Sequence, residues 1–265
     1  MQSPTVSPTV APIKLVTKFE SGSNAKFRKG ILDDYGAKLL HAAVEECEGK
    51  LTKNAPILVF NKLARQHREI GFFADPADTF GYFYSNSCAI SQQPGPALKA
   101  LIDYINADRK SKFNGVLINK YNNGADYISA HSDKEDGLDE TAGVVILSYG
   151  ATRIMTFELR KDAPPNSQRL SELVKNQPLE HNSIAIMEGE VFQKTYTHEI
   201  KKDKTCTMPR ISLTFRVHDG VGEGHRIALY RKSKAKIDEL IAKEAECADH
   251  ATGEPAAKRA GKAPE

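Results

Sequence analysis

The sequence predicts an α+β fold, mainly β, in which seven or eight short strands form a sandwich or jelly roll with helices on one face. Three observations carry this. Over residues 115–217 apolar and polar residues alternate with a period of two, in runs separated by Gly137, Gly150, Pro164-Pro165-Asn166, Asn182 and Gly189. Two segments with helical spacing precede that region. Residues 114–133, NGVLINKYNNGADYISAHSD, read as two strands joined at Asn122-Asn123-Gly124, a turn sequence that favours positive φ.

Taken in order, residues 1–14 alternate Pro with Ser, Thr and Val and are expected to form a disordered or extended tail. Residues 33–47 place Leu39, Leu40, Ala43 and Val44 on one helical face, with Asp33 and Asp34 at the favourable N-terminal end. A short β-type run covers 57–60. Residues 61–90 are dense in aromatic and basic residues and receive no element from periodicity. A second helix over 96–108 carries Leu98, Leu101, Ile102 and Ile105 behind Pro96. Strands are expected at 115–121, 127–132, 142–149, 152–158, 183–188, 195–201 and 209–217, and 170–175 is either a weak strand or one helical turn. After a glycine-rich linker, a basic C-terminal helix is expected over 227–248, and then a disordered tail. The expected organisation is a tail (1–14), N-terminal helices and an aromatic-basic lid (15–110), a β core (111–218), a linker and helix (219–249) and a tail (250–265).

At 265 residues the chain is long enough for one sizeable domain, and its 40% hydrophobic and 27% charged residues are ordinary for a globular protein. The formal net charge is only +3, so any affinity for nucleic acid has to come from a local basic face. Cys47, Cys88, Cys206 and Cys247 form no CxxC pair, which argues against a zinc knuckle or a disulfide framework and fits a reducing compartment. No apolar run is long enough for a membrane span, and the N-terminus lacks an apolar signal core. An intracellular monomer without a membrane partner is expected.

The chemistry lies in the order of polar groups on strand faces. Asn119 and Tyr121 are two apart and share a face, as do His131 and Asp133. Thr195-Tyr196-Thr197-His198 brings a second imidazole to a strand end. In RISLTFR, Arg210, Ser212, Thr214 and Arg216 point one way while Ile211, Leu213 and Phe215 point the other. A strand facing an ordinary core would not turn such groups inward, because unpaired buried charge is costly. Two His and one carboxylate form the facial triad of non-haem Fe(II) oxygenases, and guanidinium groups suit a dicarboxylate co-substrate.

LINKYNNGADYISAHSDKE and PRISLTFR together resemble the AlkB-type 2-oxoglutarate/Fe(II) dioxygenases, most closely the nucleic-acid alkylation-repair homologues, over roughly residues 57–217. The resemblance implies a double-stranded β-helix (jelly-roll) core, with His131, Asp133 and His198 on Fe(II). It implies 2-oxoglutarate held by Arg210, Asn119, Tyr121, Thr214 and Arg216, and O2 at the remaining metal position. Ser212 stands where the closing motif often has Asn. On the substrate side, the resemblance makes residues 15–110 include a nucleotide-recognition lid. Tyr84 would stack on a flipped base with His131 on its other face, and Tyr82 and Ser85 would contact the base or its backbone. Glu135 would face its exocyclic amine, Val59-Phe60 would act as a duplex wedge, and Arg65 would be the backbone contact beside it. Lys62 and Arg68 add basic groups, and Phe72, Phe73 and Phe83 are expected in the core. The implied activity is oxidative demethylation of 1-methyladenine and 3-methylcytosine in DNA or RNA, with release of formaldehyde, succinate and CO2. Hydroxylation of a protein or small molecule, or a non-catalytic nucleic-acid-binding module, are the alternatives. A nucleic-acid substrate puts the nucleus ahead of the cytoplasm as the expected location.

Overall fold

A computed structural model describes residues 12–21, 25–85, 87–133 and 137–252, with side chains through Cys247. Most of the expected tails lie outside the described residues, and so does Glu135.

Among the described residues, fifteen strands and five α-helices follow one another: β1 (Leu15–Ser21), β2 (Ala25–Ile31), α1 (Asp34–Cys47), β3 (Pro56–Val59), β4 (Lys62–Arg65), β5 (Glu69–Ala74), β6 (Gly81–Tyr84), β7 (Ser87–Gln92), α2 (Pro96–Arg109), β8 (Gly115–Tyr121), β9 (Ile128–His131), β10 (Val144–Gly150), β11 (Arg153–Leu159), α3 (Glu172–Lys175), β12 (Asn176–Leu179), β13 (Ser183–Glu188), α4 (Phe192–Thr195), β14 (Tyr196–Ile200), β15 (Arg210–Arg216) and α5 (Glu223–Thr252). A nine-stranded mixed sheet has the order β1-β2-β13-β10-β15-β8-β5-β7-β6. A four-stranded sheet has the order β12-β11-β14-β9, and β3-β4 is a separate hairpin. The fold is mainly β and jelly-roll-like. Among the described residues no helix is long and apolar enough to cross a membrane.

Alternation on β15 separates core from site. Ile211, Leu213 and Phe215 join Leu40 and Val44 of α1 and Leu98, Leu101 and Ile105 of α2 in one buried cluster. Each such side chain contributes about 1.5–3 kcal/mol on burial. The two helices are also tied end to end. Asp33 Oδ1 accepts from Gly36 N at 2.7 Å and from the Tyr104 hydroxyl at 3.0 Å, capping α1 and fastening it to α2. Glu46 of α1 accepts from Ala97 N and Leu98 N at 3.0 and 3.2 Å, capping α2 behind Pro96. A second cluster between the sheets is largely aromatic, with Phe19, Phe27, Phe157, Phe192 and Tyr196 closing one end.

The turn after Tyr121 departs from the expectation in two ways. It does not close a hairpin: β8 lies in the large sheet and β9 in the small one, so the turn carries the chain between them. Neither asparagine nor Gly124 has positive φ. Side chains shape the turn instead, Asp126 Oδ2 accepting from Asn122 N at 2.7 Å and Asn123 Oδ1 from Ala125 N at 2.8 Å. Glycine is needed for close approach, because a Cβ on Gly124 would lie 1.6 Å from the Asp203 carbonyl oxygen. Arg153, fully buried, fastens this corner by donating to the carbonyls of Asn123, Asp126 and Lys201 at 3.1, 2.9 and 2.6 Å.

Several strands were not foreseen. β1 and β2 pair with a register shift between Thr17 and Phe19 that breaks the period of two. β5 reads Glu-Ile-Gly-Phe-Phe-Ala, with no alternation of polar and apolar residues to read. The ambiguous stretch at 170–175 is a single helical turn leading into β12. The C-terminal helix begins at Glu223, inside the expected linker.

Candidate metal and co-substrate site

His131 ends β9 and lies directly across the ladder from His198 on β14. Their ring centroids are 4.4 Å apart. Asp133 follows two residues later, with Oδ1 3.8 Å from His131 Nε2 and Oδ2 3.9 Å from His198 Nε2. One ligand atom from each of the three residues lies within 4.8 Å of the others. His131 Nδ1 is 2.9 Å from the Ser129 carbonyl. A carbonyl only accepts, so Nδ1 carries the proton and the Nε2 lone pair is left facing Asp133.

Electrostatics put all three groups in ligand form. Burial, with His131 beside it, pushes His198 down to about 3. Burial likewise lowers His131. For Asp133 burial alone would act upward, but Arg216, with Nη2 at 2.7 Å, and the two imidazoles hold the carboxyl well below the usual range. Neutral imidazoles and an ionised carboxylate are what a divalent ion requires.

The triad faces a cavity of about 520 Å³ between the two sheets. Its opposite wall is the polar face of β15 with its neighbours, register placing Arg210 across from Tyr121 and Ser212 across from both Asn119 and Ser148. Asn119, Tyr121, Arg210, Ser212, Thr214 and Arg216 all line this cavity. Arg210 is 1% exposed and lies over the Tyr121 ring, its guanidinium carbon 5.4 Å from the centroid. Its Nη2 donates to Ser148 Oγ at 2.9 Å, while Nε is buried and has no hydrogen-bond partner among the described residues. Burial pushes this guanidinium down to about 10. A buried cation with an unused donor suits a carboxylate that the cavity is shaped to receive.

Of the residues expected to meet substrate, Tyr82, Tyr84 and Ser85 line the same cavity. Tyr82 also lies under the Arg216 guanidinium at 4.8 Å. Phe60 and Arg65 are not brought into it. Phe60 is at the tip of the β3–β4 hairpin, 95% exposed and at positive φ, and Arg65 pairs with Glu244 of α5 at 3.0 Å. Phe72, Phe73 and Phe83 are buried, as expected. Sequence reasoning missed Gln66, whose Nε2 donates to the Tyr84 hydroxyl at 2.8 Å. It also grouped Arg68 with the basic groups of the lid, whereas Arg68 Nε donates to Asn119 Oδ1 at 2.7 Å inside the cavity. Both lie between β4 and β5, outside any strand, so their spacing gave no signal.

A jelly-roll-like pair of sheets, two imidazoles and a carboxylate at strand ends, and buried arginines facing them define a non-haem iron oxygenase site with an acidic co-substrate. The profile of the 2OG-Fe(II) oxygenase superfamily matches residues 30–216, and the chain belongs to that superfamily. Its reagents are Fe(II), 2-oxoglutarate and O2, and the donor set here fits them. The human alpha-ketoglutarate-dependent dioxygenase alkB homolog 3 is 37% identical over 142 residues, 51% of this chain and 47% of that protein. The human DNA oxidative demethylase ALKBH2 is 30% identical over 178 residues, 67% of this chain and 65% of that protein. The chain thus spans about half the length of the first of these relatives.

Proposed function

We propose that this protein is a 2-oxoglutarate- and Fe(II)-dependent dioxygenase that demethylates N-alkylated bases, 1-methyladenine and 3-methylcytosine, in DNA or RNA. One observation carries the reading: a single cavity is walled by the His131, Asp133 and His198 triad, by buried Arg210 and by the aromatic pair Tyr82 and Tyr84. An iron site, a carboxylate site and a stacking surface in one enclosed space are what the reaction needs. The names of the two relatives, a dioxygenase and a DNA oxidative demethylase, agree with it.

In this reading the two sheets form a double-stranded β-helix core. His131, Asp133 and His198 hold the iron, and Arg210 takes the distal carboxylate of 2-oxoglutarate in a bidentate contact that Lys could not copy. Asn119, Tyr121, Ser212 and Thr214 line the co-substrate's side of the cavity. Arg216 neutralises Asp133, so the carboxylate keeps its charge without water. When bound, the iron supplies O2 activation coupled to 2-oxoglutarate decarboxylation and hydroxylation of the methyl group. Tyr84 stacks on the base with His131 opposite, which holds the methyl toward the metal side. The hydroxymethyl group on a ring nitrogen then leaves as formaldehyde, with succinate and CO2 as the other products. Phe60, on its exposed hairpin tip, is positioned to enter a duplex.

The test is to purify the protein without oxygen, add Fe(II), 2-oxoglutarate, ascorbate and air, and offer single-stranded DNA, double-stranded DNA and RNA carrying either base. Loss of methyl that requires 2-oxoglutarate is expected on at least one. Succinate without methyl loss on any oligonucleotide would overturn the substrate and leave a protein or small-molecule hydroxylase.

A further inference from the structure

Besides Arg216, side chains that do not line the cavity hold Asp133 and its neighbour. It stands two residues beyond the end of β9, where strand pairing no longer holds the backbone. Its N–H nevertheless donates to Gln193 Oε1 at 2.8 Å, and both residues are buried. Gln193 belongs to α4, the turn that leads directly into β14 and His198. Its Nε2 donates to Met187 Sδ at 3.5 Å, on β13 of the large sheet. One carboxamide therefore ties the Asp133 peptide both to the large sheet and to the element that delivers the second imidazole.

The neighbouring residue is held as well. Arg160 Nη1 donates to Ser132 Oγ at 2.8 Å, while Nε and Nη2 of the same guanidinium take both oxygens of Asp162 at 3.0 and 2.9 Å. The Arg160 N–H donates to the Thr195 carbonyl at 2.9 Å, which joins this grip to α4. Ser132 lies between two ligands, so its side chain and the next backbone N–H are the handles by which the metal-bearing peptide is set. Rotating that peptide would swing the Asp133 carboxylate away from His198 and from Arg216.

We propose that Gln193 is a positioning residue for the metal site, fixing the Asp133 peptide so that its carboxylate faces both imidazoles before any ion arrives, with Arg160 as its companion on Ser132. The inference rests on the metal-site reading above. A neutral carboxamide suits the task, since it accepts from the N–H without placing a second negative charge beside Asp133. Groups that orient a metal ligand without touching the metal are worth about 10- to 100-fold in affinity.

The test is Co(II) titration of the full chain, followed by its visible absorption well below the melting temperature. His131→Ala serves as the control for the triad. Gln193→Leu is expected to weaken Co(II) binding by about 10- to 100-fold and to alter the band shape. Met187→Leu, which removes the sulfur but leaves Oε1 on Asp133, is expected to bind as wild type does. Wild-type affinity in Gln193→Leu, or an equal loss in Met187→Leu, would overturn the role of Gln193 and leave the triad standing. Wild type binding no better than His131→Ala would overturn the triad itself, and this inference with it. Should Gln193→Leu fail to fold, amide exchange in the metal-free wild type decides. A protected Asp133 N–H, outside any strand, is expected, and exchange at the unstructured rate would overturn the proposal.

Discussion

Replacing Arg210 by Met separates binding from stability, because the two should move in opposite directions. Burial pushes the guanidinium from its ordinary 12.5 down to about 10. That difference corresponds to about 3 kcal/mol of disfavoured charge, at 1.36 kcal/mol per pKa unit. The Ser148 bond, worth about 1 kcal/mol, and the Tyr121 side chain beside the guanidinium return only part of that in the metal-free protein. Arg210→Met should therefore leave the metal-free protein as stable as wild type or up to about 2 kcal/mol more stable, as replacements of buried ions by apolar groups often do. Co-substrate binding should go the other way. Two charge-assisted bonds to a carboxylate contribute about 3–5 kcal/mol together, so affinity for 2-oxoglutarate should fall by about 150- to 4,000-fold. Arg210→Lys, which keeps the charge and loses the fork, should lie between the two. The assay is urea unfolding with and without Mn(II) and saturating 2-oxoglutarate, since a ligand stabilises by RT ln(1 + [L]/Kd). If Arg210→Met were stabilised by 2-oxoglutarate as much as wild type, or were itself destabilised by several kcal/mol, Arg210 would be a structural arginine like Arg153.

Other perturbations give separate readouts. His131→Ala and Asp133→Ala should each abolish succinate formation and Co(II) binding while leaving a cooperative melt, and retained activity in either would refute the metal assignment. His198 and His218 are both buried and pushed down to about 3, so between that value and about 6.5 the unfolded chain binds protons the folded chain refuses. Their contribution is thus intact above pH 6.5 and lost as pH falls, by about 1.4 kcal/mol per histidine at pH 5.5. Urea melts of the metal-free protein at pH 7.5 and 5.5 should show it, and His218→Leu should flatten the acid side. Gly124→Ala should cost more than about 2 kcal/mol, the scale of forced overpacking, because its Cβ would collide with the Asp203 carbonyl. An unchanged melt would mean that the corner between β8 and β9 yields freely.

Legibility followed periodicity. α1, α2 and the seven core strands were readable because apolar residues recur there at helical spacing or in short runs bounded by turn residues, and β15, buried at every position, shows the limiting case, where alternating residue types let one strand state both core and site. The same rule explains the failures. β5 reads Glu-Ile-Gly-Phe-Phe-Ala within a stretch crowded with aromatic and basic residues, and even Glu69 is inside, where it accepts from Asn122 Nδ2 at 3.1 Å, so no alternation of polar and apolar residues marks it. β1 and β2 lose their period at the shift beside Thr17, and the turn at Gly124 has the residues of a hairpin but the task of changing sheets.

Contacts set by tertiary structure are a different case. Gln66, Arg68 and Gln193 are ordinary polar residues in sequence, and each acquires its meaning from a partner 18, 51 or 60 positions away. Ligands can be read from sequence because metal chemistry restricts their type and because the strand period puts them on one face. The groups that orient them are under no such restriction, since any side chain with an acceptor and the right reach would serve. The metal triad was therefore visible before the fold was known. The hold on Asp133 became visible only once α4 was seen beside the end of β9.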